Sequence, residues 1–351
     1  MTVKIHEKYI NRCIQLAQNG LGRTYPNPVV GSVIVHNEVI IGEGWHKKAG
    51  EPHAEVNAVN SVKDKSLLPK STIYVSLEPC SHYGKTPPCS NLIIDCGIKK
   101  VVIGTVDPFS EVAGKGIKKL MDAGCEVRVG VLEQECRELN KRFFTFHTKK
   151  RPYIILKWAQ SSDGFLAPLP LKNAERKPVW ITGKYSKQLV HKWRAEEQAI
   201  MVGTNTAVAD NPQLNTRLWQ GNDPVRLVLD KNLRIPTDSH LFDGSVKTIV
   251  LTEDPSKKML SKNVIFETLD FEGALAQQVC EVLSRHEIQS VIIEGGRQTL
   301  QTFIDAGLWD EARIFTGKTH FKEGIKAPEV TGRLISETKV DQDHLKVIFN
   351  D

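Results

Sequence analysis

Twice along this chain, short runs dense in β-branched residues alternate with stretches whose apolar residues recur at helical spacing. In the first half the order is "TIYVSLE", the loop "PCSHYGKTPP", then "CSNLIIDCG", "KVVIGTV", "KGIKKLMDAG" and "CEVRVGV". Strands that alternate with helices need crossovers, so they specify a sheet with parallel neighbours, helices on its faces and functional loops at strand carboxyl ends. Ahead of this series, residues 7–19 put Tyr9, Ile10, Cys13, Ile14, Leu16 and Ala17 on one helical stripe. "VVGSVIV" and "VIIGEGW", separated by "HNE", predict a hairpin, and "HAEVNAVNSV" predicts a second helix.

"LEQECRELNKRFFTF" predicts one further helix, and "HTKKRP" a polar linker near residues 147–151. Beyond it, the strands "YIILKWA", "VRLVLD", "TIVLT" and "SVIIEGG" mix with the helices "SKQLVHKWRAE" and "GALAQQVCEVLSR". The proline- and lysine-rich "LAPLPLKNAERKP" predicts a loop. A length of 351 residues allows two α/β domains with separate cores, placed here at 1–146 and 147–351.

Composition narrows the function. No apolar run approaches the ~20 residues that cross a bilayer, and the amino-terminal stretch lacks the apolar core of a secretory signal. The expectation is therefore no membrane role and a cytoplasmic location. Seven scattered cysteines in a reducing compartment suit burial, metal binding or catalysis better than disulfides. A formal charge of +6, with bases and acids interspersed, suits a phosphorylated small molecule or dinucleotide and gives no sign of a nucleic-acid partner.

Chemistry concentrates at His53-Ala54-Glu55, at a helix start, and in the loop holding Cys80 and Cys89 about 25 residues later. Zinc nucleobase deaminases use one histidine and two thiolates as ligands, with a glutamate two residues past the histidine as proton shuttle. Imidazole and thiolate suit zinc, and three protein ligands leave the fourth position for a water whose pKa the metal lowers to about 7. Helix amino-termini favour the thiolate form. Each piece alone reads more readily as a capped helix start or a core cysteine; in this order they point to a metal site. His82 remains open as a fourth ligand that would close the site and make it structural.

The runs "YPNPVVGSVIV", "GEGWHKKAGEPHAE" and "LEPCSHYGKTPPC" resemble the deaminase domain of the bifunctional deaminase/reductase family of riboflavin biosynthesis. Eight residues between the cysteines, where common nucleobase deaminases have two, make this resemblance specific. It implies a cytidine-deaminase-like three-layer α/β/α domain with His53, Cys80 and Cys89 on Zn2+ and Glu55 as proton donor. It also implies that Asn27, His46, His82, Lys85 and Thr86 line a phosphoribosyl-pyrimidine. Asn27 lies between two prolines and by itself reads equally as a turn residue.

In the second half no G-x-G-x-x-G follows a strand, but "SVIIEGGRQTLQTF" gives strand, Glu294, a glycine pair and a helix that aims N–H groups at phosphate. "ILKWAQSSDG", "WITG", "VHKWRAEEQAIMVGTNTAVADNPQLNTR" and "IIEGG" are similar, in order, to the reductase domain of the same family. That implies a dihydrofolate-reductase-like α/β domain binding NADPH through Gln160, Trp180, Thr206, Asp210 and the segment Gly296, Arg297, Gln298, Thr299 and Leu300. Lys157, Arg194, Leu214, Arg217 and Glu294 would contact the substrate, and the family implies a homo-oligomer acting on a small molecule. The sequence departs from the pattern at Gln160, usually a small residue, at Pro178, where a serine is usual, and in a long 166–177 loop.

Overall fold

The structure is a computed structural model that describes residues 3–83, 87–109, 113–169, 179–254 and 262–350. It divides into two compact units, Met1–Lys150 and Arg151–Asp351. The first unit runs α1 (Val3–Ala17), β1 (Gly31–His36), β2 (Val39–Trp45), α2 (Ala54–Ser61), β3 (Thr72–Leu77), α3 (Cys89–Asp95), β4 (Lys100–Thr105), α4 (Lys115–Asp122), β5 (Glu126–Val129), α5 (Glu133–Leu139) and α6 (Lys141–Lys149). Its strands lie in the order β2-β1-β3-β4-β5, with β1 antiparallel to both neighbours and β3, β4 and β5 parallel. Asn37 and Glu38 join the hairpin with φ of 47° and 64°, the left-handed pair that matches the twist of two-residue turns.

Side chains alternate across this sheet. Ile34, Ile73, Val75, Val101 and Ile103 enter one core with Ala58 and Val59 of α2, Ile93 of α3 and Leu120 of α4. Val33, Val35, Tyr74 and Val102 enter the opposite core with Tyr9, Ile10, Cys13 and Leu16 of α1 and Cys136 of α5. The period of two thus builds the expected three layers. The expected single helix at 132–146 is instead α5 and α6, parted at Asn140. Asn140 has a non-helical backbone, with φ of −105° and ψ of 22°, and its side chain is engaged with Val29, accepting its N–H at 2.9 Å and donating to its carbonyl at 2.9 Å. α6 also runs to Lys149, so the start of the expected linker is helical.

The second unit runs β6 (Tyr153–Gln160), β7 (Phe165–Pro168), α7 (Lys184–Glu196), β8 (Ala199–Gly203), α8 (Thr204–Asp210), β9 (Val225–Leu229), β10 (Thr248–Thr252), β11 (Val264–Thr268), α9 (Leu275–Arg285), β12 (Ser290–Ile293), α10 (Arg297–Asp305), β13 (Glu311–Thr316), β14 (Gly324–Lys326), β15 (Arg333–Val340) and β16 (Asp343–Phe349). Nine strands form one sheet in the order β11-β10-β9-β8-β12-β6-β13-β16-β15, parallel except at β16 and β15. After β6 the chain moves outward through β8 to β11 and returns to insert β12 between β8 and β6. Ligands bind at strand carboxyl ends where order reverses in this way. Ile154, Leu156, Met201 and Ile293 pack against α9 and α10, while Tyr153, Ile155 and Ile292 pack against Val190 and Trp193 of α7.

The start of the expected loop, residues 166–168, instead belongs to β7 and pairs with β14. Residues 170–178, Pro178 among them, lie outside the described residues. Among the described residues no helix is long and apolar enough to cross a membrane.

Candidate active sites

In the first unit, each chemical group sits at the end of an element. His53 is the N-cap of α2 and Glu55 lies in its first turn, Cys89 opens α3, and Cys80 lies on the loop after β3. His53 Nδ1 is 3.6 Å from Cys80 Sγ and 3.4 Å from Cys89 Sγ, and all three ligand atoms lie within 4.8 Å of one another. Zn–N near 2.0–2.1 Å and Zn–S near 2.3 Å at a tetrahedral angle would separate N from S by about 3.5 Å. The donors therefore fit zinc as they stand. His82 is exposed and is not part of the group, so among the described residues the protein supplies three ligands and no fourth.

The Cys89 N–H lies 3.3 Å from Cys80 Sγ. Hydrogen bonding from the Cys89 side chain depresses the Cys80 thiol, and the Cys89 thiol, donor of that bond and buried, is raised. A bound dication would favour the ionised form of both thiols. Glu55 is buried; burial first, then the charge of Cys80, pushes its carboxyl up to about 7. A group that exchanges its proton near neutral pH is what a proton relay requires.

Asn27 and His46 meet beside this centre. His46 Nδ1 faces the Pro52 carbonyl at 3.3 Å, and its Nε2 lies 3.1 Å from Asn27 Nδ2. A carbonyl only accepts, so the proton belongs on Nδ1 and Nε2 accepts from Asn27, which keeps Oδ1 and a second amide proton for a heterocycle edge. The His46 ring stands edge-on to His53 at 5.2 Å, and burial lowers its basicity. Asp107 is buried, and burial raises its carboxyl to about 6. Lys85 and Thr86 lie outside the described residues.

In the second unit the site is assembled from charges that hold one another. Arg194 of α7 grips Glu294, just past β12, through two hydrogen bonds of 3.0 and 2.7 Å, and Lys157 of β6 lies 3.8 Å from the same carboxylate. Burial would raise the Glu294 carboxyl, but the Arg194 and Lys157 charges prevail and hold it at about 2. Burial lowers the Lys157 ammonium, with Glu294 opposing. Arg194 also donates to the Asn215 carbonyl at 3.2 Å, and the exposed Arg217 donates to Asn215 Oδ1 at 2.9 Å. Leu214, buried with φ of 50°, starts this turn. Three cations face one carboxylate, an excess that suits a phosphate.

Beside it, the starts of α8 and α10 adjoin. Gly203 N–H donates to Gly295 O at 3.0 Å, and a Cβ on Gly296 would lie 3.1 Å from Thr206 Oγ1. Gly296 is the N-cap of α10, so Arg297, Gln298 and Thr299 present the first-turn N–H groups that accept a phosphate. Leu300 is fully buried in the core and its N–H is bonded to Gly296 O, so neither reaches out. Asp210 ends α8. Trp180 is exposed under the Lys187 ammonium, 3.6 Å from its ring centre, and Gln160 accepts the Trp158 indole N–H at 3.0 Å.

Two residues of this site went unread in the sequence. His191, one turn before Arg194, is buried with Nδ1 lacking a partner; burial, then Arg194 and Arg217, lower its pKa to about 4. "VHKWR" reads only as an amphipathic helix, and the spacing that puts His191 and Arg194 on one face was its sole signal. Asp343, at the start of β16, accepts from Gly183 N–H at 2.9 Å and from the Ser186 hydroxyl at 2.5 Å, capping α7 from 160 residues away in sequence.

Two families of known proteins match this chain, one within each unit. The family described as cytidine and deoxycytidylate deaminase zinc-binding region matches residues 3–105, and the RibD C-terminal domain matches residues 152–320. Riboflavin biosynthesis protein RibD of Aquifex aeolicus is 40% identical over 96% of this chain and 94% of its own length. That of Bacillus amyloliquefaciens is 41% identical over 89% of this chain and 84% of its own. The solved structure of a diaminohydroxyphosphoribosylaminopyrimidine deaminase/5-amino-6-(5-phosphoribosylamino)uracil reductase from Thermotoga maritima shares 35% identity at a TM-score of 0.90, covering 99% of both chains. Acinetobacter baumannii RibD shares 32% identity at a TM-score of 0.88 over the whole of both chains.

A zinc deaminase region followed by a reductase domain on one chain defines a bifunctional enzyme, a hydrolase and an oxidoreductase together. This chain belongs to the RibD family of riboflavin biosynthesis proteins. Its cofactors are Zn2+ and NADPH, and its substrate is a small molecule.

Proposed function

We propose that this chain deaminates 2,5-diamino-6-(5-phosphoribosylamino)pyrimidin-4-one and then reduces the ribosyl group of the resulting 5-amino-6-(5-phosphoribosylamino)uracil to a ribityl chain. The observation that carries this reading is the convergence of His53, Cys80 and Cys89 at zinc spacing beside a buried Glu55. The deaminase domain, expected at 1–146, is assigned to the first unit, and the reductase domain, expected at 147–351, to the second. His53, Cys80 and Cys89 would hold zinc, and the α8 and α10 starts with Trp180 and Gln160 would hold NADPH. When bound, zinc supplies the Lewis acidity that activates water, and NADPH supplies the reducing equivalents.

Glu55 takes a proton from the attacking water on its carboxylate and returns it to the departing amine. Asn27, ordered by His46, hydrogen-bonds the pyrimidine edge, and His82, with Lys85 and Thr86, receives the phosphoribosyl arm. In the second site Arg194 and Arg217 bind phosphate, while Glu294 keeps Arg194 and Lys157 in place and Leu214 shapes the wall. There the residues act mainly by positioning two reactants. A homo-oligomer in the cytoplasm completes the reading; seven free cysteines suit a reducing compartment, and sedimentation of the purified protein tests the oligomer.

The decisive experiment supplies the diaminopyrimidinone ribosyl phosphate with NADPH and follows ammonia release and NADPH oxidation separately. Both signals are expected, in that order. Ammonia without NADPH oxidation would remove the second half of the proposal, and neither signal from zinc-loaded protein would remove all of it.

A further inference from the structure

Glu78 joins β3 to the turn that carries Cys80, and nothing in the zinc motif gives it a task. Its carboxylate is buried, 4% exposed, and among the described residues its hydrogen-bond partners are backbone N–H groups. Oε1 accepts from Gly116 at 2.9 Å and Ile117 at 3.2 Å, both in the first turn of α4. Oε2 accepts from Gly114 at 2.9 Å and Asp107 at 3.3 Å, the two sides of the segment between β4 and α4. The Glu78 N–H in turn donates to Thr105 O at 2.9 Å. One carboxylate thus ties together the carboxyl ends of β3 and β4 and the start of α4.

The same junction presses on the residue before the thiolate. A Cβ on Gly116 would lie 2.0 Å from the Pro79 carbonyl, so only glycine lets α4 approach the Pro79-Cys80 backbone this closely. On its other side Cys80 is held by α3: Ser90 N–H donates to Cys80 O at 3.1 Å, and Cys89 N–H faces its sulfur. Cys80 is therefore clamped between the starts of two helices, and Glu78 is the clasp on one of them. Asp107, whose N–H Glu78 holds, places its carboxyl within the field of His82 and Cys80.

We propose that Glu78 is a positioning residue of the deaminase centre: by fixing the Cys80 backbone against α4 and β4 it sets how tightly the three-ligand site retains its metal. This rests on the assignment of His53, Cys80 and Cys89 as the zinc ligands. Outer partners of metal ligands characteristically change affinity by about 10–100-fold when removed. Glu78→Gln keeps the shape but turns an NH2 toward two of the four N–H donors, so donor faces donor and the clasp opens.

Two measurements test this. In chelator competition, Glu78→Gln is expected to lose zinc about 10–100-fold more readily than wild type, and Glu78→Asp, which keeps the charge but shortens the reach, by less. Variants that retain zinc like wild type while melting earlier would reduce Glu78 to a fold cap and overturn the proposal. The second measurement uses only wild-type protein, so a variant that fails to fold does not block it. Hydrogen exchange at Gly114, Gly116 and Ile117 should quicken when zinc is removed, because coupling between the metal and α4 is reciprocal. Unchanged protection there overturns the coupling. If wild type binds no zinc, or Cys80→Ala binds it as well as wild type does, the ligand assignment itself has failed, and the outcome is distinct from either of these.

Discussion

The two sites of this chain solve placement in opposite ways. In the deaminase site His53, Glu55, Cys80 and Cys89 come from two short segments, 53–55 and 80–89, held at helix starts whose positions the surrounding cores determine. In the reductase site Lys157, Arg194 and Glu294 come from separate elements and hold one another, while Arg217 is tied in through Asn215, whose carbonyl also accepts from Arg194. The first arrangement separates chemistry from stability. The second merges them, because a buried charge that loses its partner destabilises whatever holds it.

The sharpest test of that difference is Glu55→Gln with metal retained. Ammonia release should fall by about 10²–10⁴-fold, while reduction of the deaminated substrate and the melting temperature of the protein stay near wild type. Removing zinc with a chelator should likewise silence ammonia release, reversibly on zinc return, and spare NADPH oxidation. A large loss of reductase activity in either experiment would break the comparison. Arg194→Leu is the counterpart in the second unit: it leaves Glu294 with Lys157 alone and should cost about 3–5 kcal/mol of stability, read by denaturant melts, as well as raising KM for the phosphorylated substrate. If it raises KM without loss of stability, the reductase charges are not mutually supporting.

His191 sharpens the contrast through pH. Folded, it stays neutral down to about 4, whereas the unfolded ring takes a proton near 6.5, so the unfolded chain binds the extra proton between those values. Stability contributed by the neutral ring is complete above pH 6.5 and is lost as pH falls toward 4, on the order of 3 kcal/mol in all. His191→Leu should flatten that slope, seen as a melting temperature less sensitive to acid. Smallest is Asp343→Ala, which removes the α7 cap and should cost about 1 kcal/mol, with a modest rise in KM for NADPH through the Trp180 to Gly183 segment.

The same difference governs what could be read before any coordinates. Zinc demands fixed residue types, and here they lie close in sequence, so His53, Glu55, Cys80 and Cys89 were legible, as was the alternation that makes the layers. Glu78 was not, because its partners are backbone N–H groups that carry no residue identity. Asn140 and Asp343 were hidden for a related reason: each acts on a segment more than 100 residues away. β7 escaped because strand formation in a proline-rich stretch depends on pairing with the distant β14.

The order of strands in the large sheet also bears on how this protein is made. β6, complete by residue 160, pairs with β12 at 290–293 and β13 at 311–316, and β16, at 343–349, lies inside the sheet between β13 and β15. The strands of the first unit all fall within residues 31–129, so a nascent chain can close that sheet while synthesis continues. In the second sheet β8 to β11 can pair as they emerge, but the sheet cannot be completed until nearly the whole polypeptide is made. Throughout that interval β6 offers unpaired apolar edges on the ribosome, which makes it the segment where chaperone capture and misassembly should concentrate.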